Sequence, residues 1–329
     1  MPRLPGEFAL IERYLAPLTT TAAGAFGLKN DAAVLELPPG ERLVVTADSL
    51  VAGGHFLPDD PPETIGRKVL RVSLSDLAAM GARPHSYLLA ASWPGDLEEA
   101  WIAAFCRGLA ADQERFGLTL VGGDTTATSG PMTFSLTAFG AVKGSKVLDR
   151  ASLRPGDDLY VSGTLGDAYL GLKVLRDGIA GLTAQAAGHL ADRYRCPEPR
   201  LALGQAILEQ ELAASALDVS DGLAQDLGHL LAASAVGAEV ELEAVPVSNA
   251  AEQALSLLGE PRQAVLSGGD DYELLFAATQ NKRPLIDALS SRLTLPIARI
   301  GRVRAEAGLT VVDSERQAVP LESLGWTHF

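Results

Sequence analysis

The chain has 329 residues and a formal net charge of −14, from 27 Lys and Arg against 41 Asp and Glu. This length accommodates two domains with separate cores, and the negative charge argues against nucleic acid or an anionic membrane as the main partner. Two cysteines exclude a disulfide framework, and without a signal-peptide-like N-terminus or a membrane-length apolar run we expect a soluble cytoplasmic protein.

The first half alternates between predicted helices and strands. In chain order we predict helix 7–18, strands 32–37 and 42–47, helix 62–82, strand 86–92, helix 97–116, and strands 118–121 and 132–142. This order favours an α+β layer with helices on one face of a sheet. A polar break at 143–146 and a turn signal at 154–157 mark a boundary, so we expect domains of residues 1–148 and 149–329.

The second half contains further predicted helices and strands. We predict strands 158–162, 239–245, 274–278 and 297–303, helices 165–176, 200–214, 223–235 and 284–292, and a terminal hairpin at 311–320. Strands in both halves are followed by acidic residues, which is a weak hint of a shared plan without an alignable repeat.

Aspartates recur where apolar strands break into turns. They are Asp31, Asp48, Asp124, Asp218, Asp221, Asp270 and Asp271. Carboxylates at strand ends can converge on one cleft, where their mutual repulsion requires cations. Hard oxygen ligands without a His or Cys cluster suit Mg²⁺ better than a transition metal. The pattern therefore predicts magnesium, and with it a bound polyphosphate.

Asp76 is an acid of a different kind, because it lies within the predicted helix 62–82 and not in a turn. It falls on the same i, i+3, i+4 stripe as Val69, Val72 and Leu77, which is the face expected to meet the core. A carboxylate there needs a metal, a cation or several donors as its partner. A magnesium ligand and a buried aspartate that caps neighbouring backbone are the two interpretations.

Three glycine- or aspartate-rich segments have the composition of ligand-binding turns. They are Gly122-Gly123-Asp124-Thr125-Thr126, Asp218-Val219-Ser220-Asp221-Gly222 and Gly268-Gly269-Asp270-Asp271. Glycines let a backbone approach a phosphate, and the acids can serve Mg²⁺. The alternatives are ordinary turns and, for the second segment, an N-cap of the following helix. The P-loop, protein-kinase and dinucleotide-binding motifs are absent, so metals and aspartates would have to hold a triphosphate.

Three single residues are further candidates. His55 lies in a glycine-rich loop after the Asp48 strand, where it either contacts a ligand or is merely exposed. Arg150, just before the domain turn, either clamps a phosphate or is a solvated surface arginine. Trp326, close to the C-terminus, either packs on the core or stacks on a flat ligand.

Taken together, the motifs resemble the thiamine-monophosphate kinase family. The matching segments are Gly6 to Ile11, Asn30-Asp31, Thr46 to Val51 with Gly54 to Phe56, Ser73 to Ala82, Gly122 to Thr126, Asp218 to Gly222, Ser267 to Leu275 and Gly325 to Phe329. The order is kept from residue 6 to 329. The wider superfamily includes aminoimidazole ribonucleotide synthetase and selenophosphate synthetase. The resemblance implies a two-domain aminoimidazole ribonucleotide synthetase-like α+β fold, with a ferredoxin-like-type N-terminal sheet and an α/β C-terminal domain.

The resemblance also implies a reaction, in which ATP phosphorylates thiamine monophosphate to thiamine diphosphate by in-line transfer with several Mg²⁺ ions. The implied metal ligands are Asp31, Thr46, Ala47 through its backbone, Asp48, Asp76, Asp124, Asp218 and Asp221. Of these, Asp48, Asp76, Asp124 and Asp221 would be catalytic. The N-terminal domain would bind ATP and Mg²⁺ and form a homodimer through its sheet.

The remaining implied site residues contact the two substrates. Gly122, Gly123, Arg150 and Ser220 resemble ATP contacts, whereas His55, Asp270 and Trp326 resemble thiamine monophosphate contacts. Cys106 stands where an aromatic residue commonly lies near adenine, and Asp270 stands where Glu is common. Another enzyme of the superfamily and a non-catalytic protein that binds divalent cations are the alternatives.

Overall fold

The computed structural model describes residues 6–326, so the last residues of the Gly325 to Phe329 motif lie outside the described part. The chain forms two compact units: residues up to 77 together with 82–145, and residues 78–81 together with 146 onward. No helix among residues 6–326 combines the length and apolar character needed to cross a bilayer.

The first unit is built on a four-stranded sheet. Its strands are β1 (Glu41–Val51), β2 (Arg83–Pro94), β3 (Thr119–Thr128) and β4 (Thr133–Lys143), in the order β1-β4-β2-β3. Its helical segments are α1 (Glu7–Leu10) with the π-helical and 3₁₀ turns Ile11–Leu15 and Ala16–Thr19, the 3₁₀ turns Ala23–Leu28, α2 (Pro62–Ala79) and α3 (Glu99–Phe116). Strand β4 is antiparallel to β1 and β2, whereas β2 and β3 are parallel.

One face of this sheet is covered by helices. Phe134 and Leu136 of β4 are fully buried, and the Phe134 ring stacks on Phe105 of α3 with 4.5 Å between centroids. Leu43 and Val45 of β1 point from the other face and are 44% and 54% exposed. Successive side chains of a strand point to opposite faces, so the alternation separates a core face from an open face, as an α+β layer requires.

One strand prediction in this unit is wrong, and two others are too short. Residues 32–37 form no strand: the Val34 N–H donates to Gly24 O at 2.9 Å, and the segment is followed by Pro38 and Pro39, which have no backbone N–H. Strands β1 and β3 also continue past their predicted ends at Ala47 and Val121. Asp48 and Asp124 therefore lie within strands and not in the turns that follow them.

The second unit contains a six-stranded mixed sheet. Its strands are β5 (Asp158–Ser162), β6 (Ser215–Val219), β7 (Gly237–Glu241), β8 (Glu273–Ala278), β9 (Ile297–Arg304) and β10 (Gly308–Val312), in the order β10-β7-β9-β5-β8-β6. Its helices are α4 (Asp167–Asp177), α5 (Ala184–Arg195), α6 (Leu201–Glu209), α7 (Leu223–Ser234), α8 (Asn249–Leu258) and α9 (Arg283–Leu293). Helices α5 and α8 and strand β6 are not among the predicted elements.

Helix α7 is held by an apolar stripe. Leu223, Leu227 and Leu230 recur at helical spacing, and each is at most 1% exposed within the core of this unit. Burying each leucine contributes about 1.5–3 kcal/mol, so the stripe fixes the helix against the sheet. Because β6 ends at Val219 and α7 begins at Leu223, the stripe also fixes the end of the short loop between them.

Candidate functional site

Two carboxylates meet at the helix-covered face of the first unit. Asp48 comes from β1 and Asp76 from α2, and neither is fully buried. Ser73 Oγ, one turn before Asp76, donates to Asp48 Oδ2 at 2.7 Å. Thr46 Oγ1, two residues before Asp48, donates to Asp76 Oδ2. Strand β1 and helix α2 are thus joined by two acid–hydroxyl pairs, each with a hydroxyl group from one element and a carboxylate from the other. All the side-chain atoms that could bind a metal here are oxygens.

The electrostatics of this pair favour a cation. The pKa of Asp48 is raised to about 6, first by burial and then by the negative charge of Asp76, and the hydrogen bond from Ser73 opposes both effects. A carboxylate that is reluctant to ionise beside a second one is stabilised when a positive charge binds between them. The four oxygen ligands are of the hard type that Mg²⁺ prefers, so the residues present fit this ion.

The Gly122-Gly123-Asp124 segment lies inside β3 beside β2. A Cβ atom on Gly123 would lie 1.9 Å from Leu89 O, and the φ of Gly123 is +149°. Only glycine fits where the strands approach so closely. Asp124 pairs with Ala90 and is exposed, and its register places its side chain on the open face, opposite to that of Asp48.

The turn that follows β1 positions His55. The His55 N–H donates to Val51 O at 2.9 Å, and His55 Nδ1 accepts from the Val51 N–H at 3.1 Å. Two bonds to one residue fix the direction of the ring. Because Nδ1 accepts one of these bonds, the proton of the neutral imidazole lies on Nε2.

Three other predicted residues of the first unit contribute no side chain to the acid pair. Asp31 is in the exposed segment before β1, and Ala47 is exposed on β1 between the two acid–hydroxyl pairs. Cys106 is on α3, 6% exposed. Burial raises the pKa of its thiol to about 12, so the thiol stays uncharged, and its contact with adenine stays a prediction.

In the second unit, the predicted Asp218–Gly222 segment joins β6 to α7. Asp218 is inside β6 and 4% exposed, whereas Ser220 and Asp221 are half-buried in the loop. Asp226 Oδ2 accepts the backbone N–H groups of Ser220 and Asp221, each at 3.0 Å, and of Gly222 at 3.2 Å. The carboxylate that accepts these N–H groups comes from α7 and not from the segment. The N-cap residue of α7 is Gly222, which has no side-chain acceptor, so the interpretation of the two aspartates as helix caps is wrong.

Asp226 is a residue that our sequence analysis missed. It is 3% exposed, and it follows Leu223 and precedes Leu227 on the apolar stripe of α7. Burial raises the pKa of its carboxyl to about 7, against its backbone hydrogen bonds. The signal that singled out Asp76, an acid on the core-facing stripe of a helix, was present here too.

The Gly268–Asp271 segment is bonded to the loop before α7. Asp270 N–H donates to Ser220 O at 2.7 Å, and Tyr272 N–H donates to Val219 O at 2.8 Å. Asp270 and Tyr272 have φ values of +69° and +51°, a strained conformation that is typical of functional sites. Asp271 faces away, because its carboxylate accepts the Gly166 and Ala168 N–H groups at the start of α4.

Trp326 lies against the same loop. Its N–H donates to Asp221 O at 3.0 Å, and its carbonyl oxygen accepts from Gln225 Nε2 at 2.6 Å. Its side chain is 59% exposed, so the interpretation of Trp326 as a core residue is wrong. Arg150 is also exposed, and its role stays a prediction.

The predicted metal ligands do not form one preformed cluster. Among residues 6–326, no group of three or more His, Cys, Asp and Glu side chains is arranged to hold a metal ion. Within the first unit the structure brings together Thr46, Asp48 and Asp76, and within the second it brings Ser220, Asp221, Asp270 and Trp326 to one pair of loops. The predicted residues are therefore grouped in two local sets.

Comparison with known proteins gives matches over nearly the whole chain. Residues 29–142 and 154–314 match the N-terminal and C-terminal domains of AIR synthase related proteins. The thiamine-monophosphate kinase of Escherichia coli K12 is 39% identical over 98% of both chains, and that of Caulobacter vibrioides is 40% identical over 98% of this chain and 91% of its own.

Solved structures agree with these matches. The thiamine-monophosphate kinase of Stenotrophomonas maltophilia K279a is 41% identical, with a TM-score of 0.84 over 95% of this chain and 98% of its own. AaThiL complexed with AMPPCP and TMP is 30% identical, with a TM-score of 0.77 over 100% of this chain and 99% of its own. Hydrogenase maturation protein HypE, at 22% identity and a TM-score of 0.79, shares the fold alone.

Proposed function

The chain belongs to the thiamine-monophosphate kinase family, and from this premise we propose that it transfers the γ-phosphoryl group of ATP to thiamine monophosphate. The products are ADP and thiamine diphosphate. The observation that carries the proposal is the full-length similarity to AaThiL, which has been solved with AMPPCP and TMP. AMPPCP is an ATP analogue, so that complex pairs a nucleotide with a phosphate acceptor.

We propose that oxygen ligands in each unit bind Mg²⁺, and that the protein holds several such ions. The ligands are Asp31, Thr46, the Ala47 backbone, Asp48, Asp76, Asp124, Asp218 and Asp221. The acid–hydroxyl pairs of β1 and α2 support the assignment of Asp48 and Asp76. The two carboxylates repel each other when both are ionised, and a bound cation offsets that repulsion. Bound Mg²⁺ would neutralise the charge of the triphosphate and of the attacking phosphate.

The acceptor of this reaction is itself a phosphate, which is largely ionised at neutral pH. Its oxygen attacks the γ-phosphorus in line with the leaving ADP, so no side chain has to remove a proton first. The protein aligns two anions that repel each other. We assign Asp48, Asp76, Asp124 and Asp221 to this task.

The nucleotide and the acceptor use different residues. Gly122, Gly123 and Ser220 contact ATP through the backbone and a hydroxyl group, with Arg150 on phosphate and Cys106 near adenine. His55, Asp270 and Trp326 hold thiamine monophosphate. The exposed ring of Trp326 and its bond to Asp221 support this division, because an aromatic surface beside the loop suits the flat rings of thiamine.

We also propose that the protein is a homodimer formed through the β1 side of the open face of the first sheet, since Asp124 lies on β3 at the opposite edge of that sheet. Leu43 and Val45 present apolar side chains on this face, 44% and 54% exposed. A second copy with the same face would cover both residues in an isologous contact.

The test of the function is a comparison of phosphate acceptors. Purified protein with ATP and Mg²⁺ is supplied with thiamine monophosphate, thiamine, or the substrates of aminoimidazole ribonucleotide synthetase and selenophosphate synthetase, and ADP release is measured. We expect release with thiamine monophosphate alone. ADP release with another acceptor only would assign the chain to a different reaction of the superfamily, and Mg²⁺ binding without ADP release would favour a non-catalytic role.

A further inference from the structure

The loop between β6 and α7 is shaped by one carboxylate oxygen. Asp226 Oδ2 accepts three consecutive backbone N–H groups, those of Ser220, Asp221 and Gly222, at 3.0, 3.0 and 3.2 Å. Asp226 is 3% exposed and lies in the first turn of α7. Three donors on one oxygen leave the loop little conformational freedom, because each bond restricts a different peptide unit.

The carbonyl groups of the same loop point the other way and are also bonded. Ser220 O accepts from the Asp270 N–H at 2.7 Å, and Asp221 O accepts from the Trp326 N–H at 3.0 Å. Gly222, with a φ of +119°, lies so close to Ser267 that a Cβ atom would be 2.9 Å from its carbonyl carbon. The backbone N–H groups of residues 220–222 therefore bond to Asp226. The carbonyl groups of Ser220 and Asp221 bond to the segments that carry Asp270 and Trp326.

The bonded backbone sets the positions from which the side chains of Ser220 and Asp221 project, and Gln225 Nε2 also donates to Asp221 Oδ2 at 3.2 Å. Resting on the proposed function, which gives these side chains to ATP and Mg²⁺, we propose that Asp226 is a positioning residue for the nucleotide. It touches neither substrate nor metal, and it holds the backbone of Ser220 and Asp221 in the conformation that binds Mg–ATP.

The proposal predicts a specific ranking of substitutions. Asp226→Asn keeps one acceptor oxygen of the same reach, so nucleotide affinity should stay within about threefold of the original protein. Asp226→Ala removes the acceptor, and Asp226→Glu displaces it by one methylene. Both should weaken the affinity for Mg–AMPPCP, the analogue named above, by about tenfold or more, since buried donors lose their partner.

A matched control separates positioning from general stability. Asp157 is another buried aspartate of the second unit, 8% exposed, whose Oδ2 accepts a backbone N–H from Arg154 at 3.2 Å. Asp157→Ala likewise removes a buried carboxylate that accepts a backbone N–H, but one outside the loop between β6 and α7. We expect it to lower the melting temperature while leaving the affinity for Mg–AMPPCP unchanged.

The experiment is calorimetric titration of each variant with Mg–AMPPCP, together with hydrogen exchange of the 220–222 amides in nucleotide-free protein. We expect faster exchange and weaker binding in Asp226→Ala and Asp226→Glu only. Original affinity in both variants, or an equal loss in Asp157→Ala, would overturn the proposal. If Asp226→Ala fails to fold, the Asn and Glu variants decide. Because the readouts are binding and exchange, they are independent of whether the original protein makes thiamine diphosphate, which alone tests the proposed function.

Discussion

At the scale of single residues, the acid pair of the first unit is a place where function opposes stability. Asp48 and Asp76 share a half-buried position with two hydroxyl donors, and burial together with the charge of Asp76 raises the pKa of Asp48 to about 6. A protein selected for stability alone would not keep two acids there. A cation bound between the two carboxylates would offset their repulsion and the free energy lost by burying their charge.

Asp48→Asn should therefore abolish turnover while stabilising the metal-free protein. A raised folded-state pKa means that the stabilising contribution of Asp48 is fully present below the unfolded-state value near 3.8 and is lost as pH rises through about 6. Above that pH the Asn variant avoids a cost of at most about 3 kcal/mol. We expect turnover to fall at least about 100-fold, with a higher melting temperature in EDTA at pH 8 and little difference near pH 4.

Thermal unfolding at both pH values and steady-state kinetics check this prediction. Turnover within a few-fold of the original protein at saturating Mg²⁺ would remove Asp48 from the catalytic set. A lower melting temperature at pH 8 would instead show that Asp48 is a structural acid whose partners need its charge.

Residue patterns predicted part of this site. The apolar stripe of the helix 62–82 pointed to Asp76, which the structure places beside Asp48 through Thr46 and Ser73. The position of Asp48 was misjudged, since a charged residue after the mostly apolar run 43–47 resembles a strand end. Strand β1 continues because it pairs residue by residue with β4 as far as Val51 and Thr133, a long-range interaction that no local pattern records.

At the scale of elements, the two glycines of β3 show the same limit. A Gly-Gly-Asp sequence is typical of a turn, yet β3 runs through it because β2 approaches to within 1.9 Å of where a Gly123 Cβ would lie. The lengths of α3 and α7, set by their own apolar periodicity, were predicted within a few residues. The lengths of these two helices were thus predictable from local pattern, whereas the continuation of β1 and β3 past their predicted ends was not.

The C-terminal segment is an element that local pattern could not place. It is attached to α7 by Gln225, whose Nε2 donates to Trp326 O at 2.6 Å and to Asp221 Oδ2 at 3.2 Å. Gly325 permits this approach, since a Cβ atom there would lie 2.6 Å from Asp221 O. The Gln225 amide thus links Trp326, which is proposed to bind thiamine monophosphate, to Asp221, a proposed metal ligand.

Gln225→Leu should raise the KM for thiamine monophosphate about two- to tenfold, because one or two hydrogen bonds of about 0.5–1.5 kcal/mol are lost. The affinity for Mg–AMPPCP should change less than the acceptor KM, since the Asp226 bonds to the loop remain. Steady-state kinetics with each substrate varied in turn measure both effects.

Gln253→Leu is the matched control, the same substitution on helix α8, where Gln253 bonds to Thr183 at 3.3 Å. It should leave both kinetic constants unchanged. An unchanged acceptor KM in Gln225→Leu would show that Trp326 does not need this attachment.

At the scale of the whole molecule, the open face of the first sheet is the proposed homodimer interface. Val45→Lys introduces a charge into this face, where the valine is 54% exposed, and it should convert the proposed homodimer to monomer because a buried lysine lacks a partner. Light scattering after size-exclusion chromatography measures the mass directly.

Val34→Lys serves as the control, because Val34 is similarly exposed at 57% but lies outside the sheet. It should leave the mass unchanged. A monomeric original protein, or a Val45→Lys variant that remains dimeric, would move the interface elsewhere or remove it.

The most direct test of the account is identification of the product formed from thiamine monophosphate, ATP and Mg²⁺. We predict thiamine diphosphate in amounts equal to the ADP released, with no product when Mg²⁺ is removed by EDTA and none from the Asp76→Asn variant. Folded, Mg²⁺-supplied protein that releases ADP without forming thiamine diphosphate, or that forms none of either, would contradict the assignment of thiamine monophosphate as the acceptor.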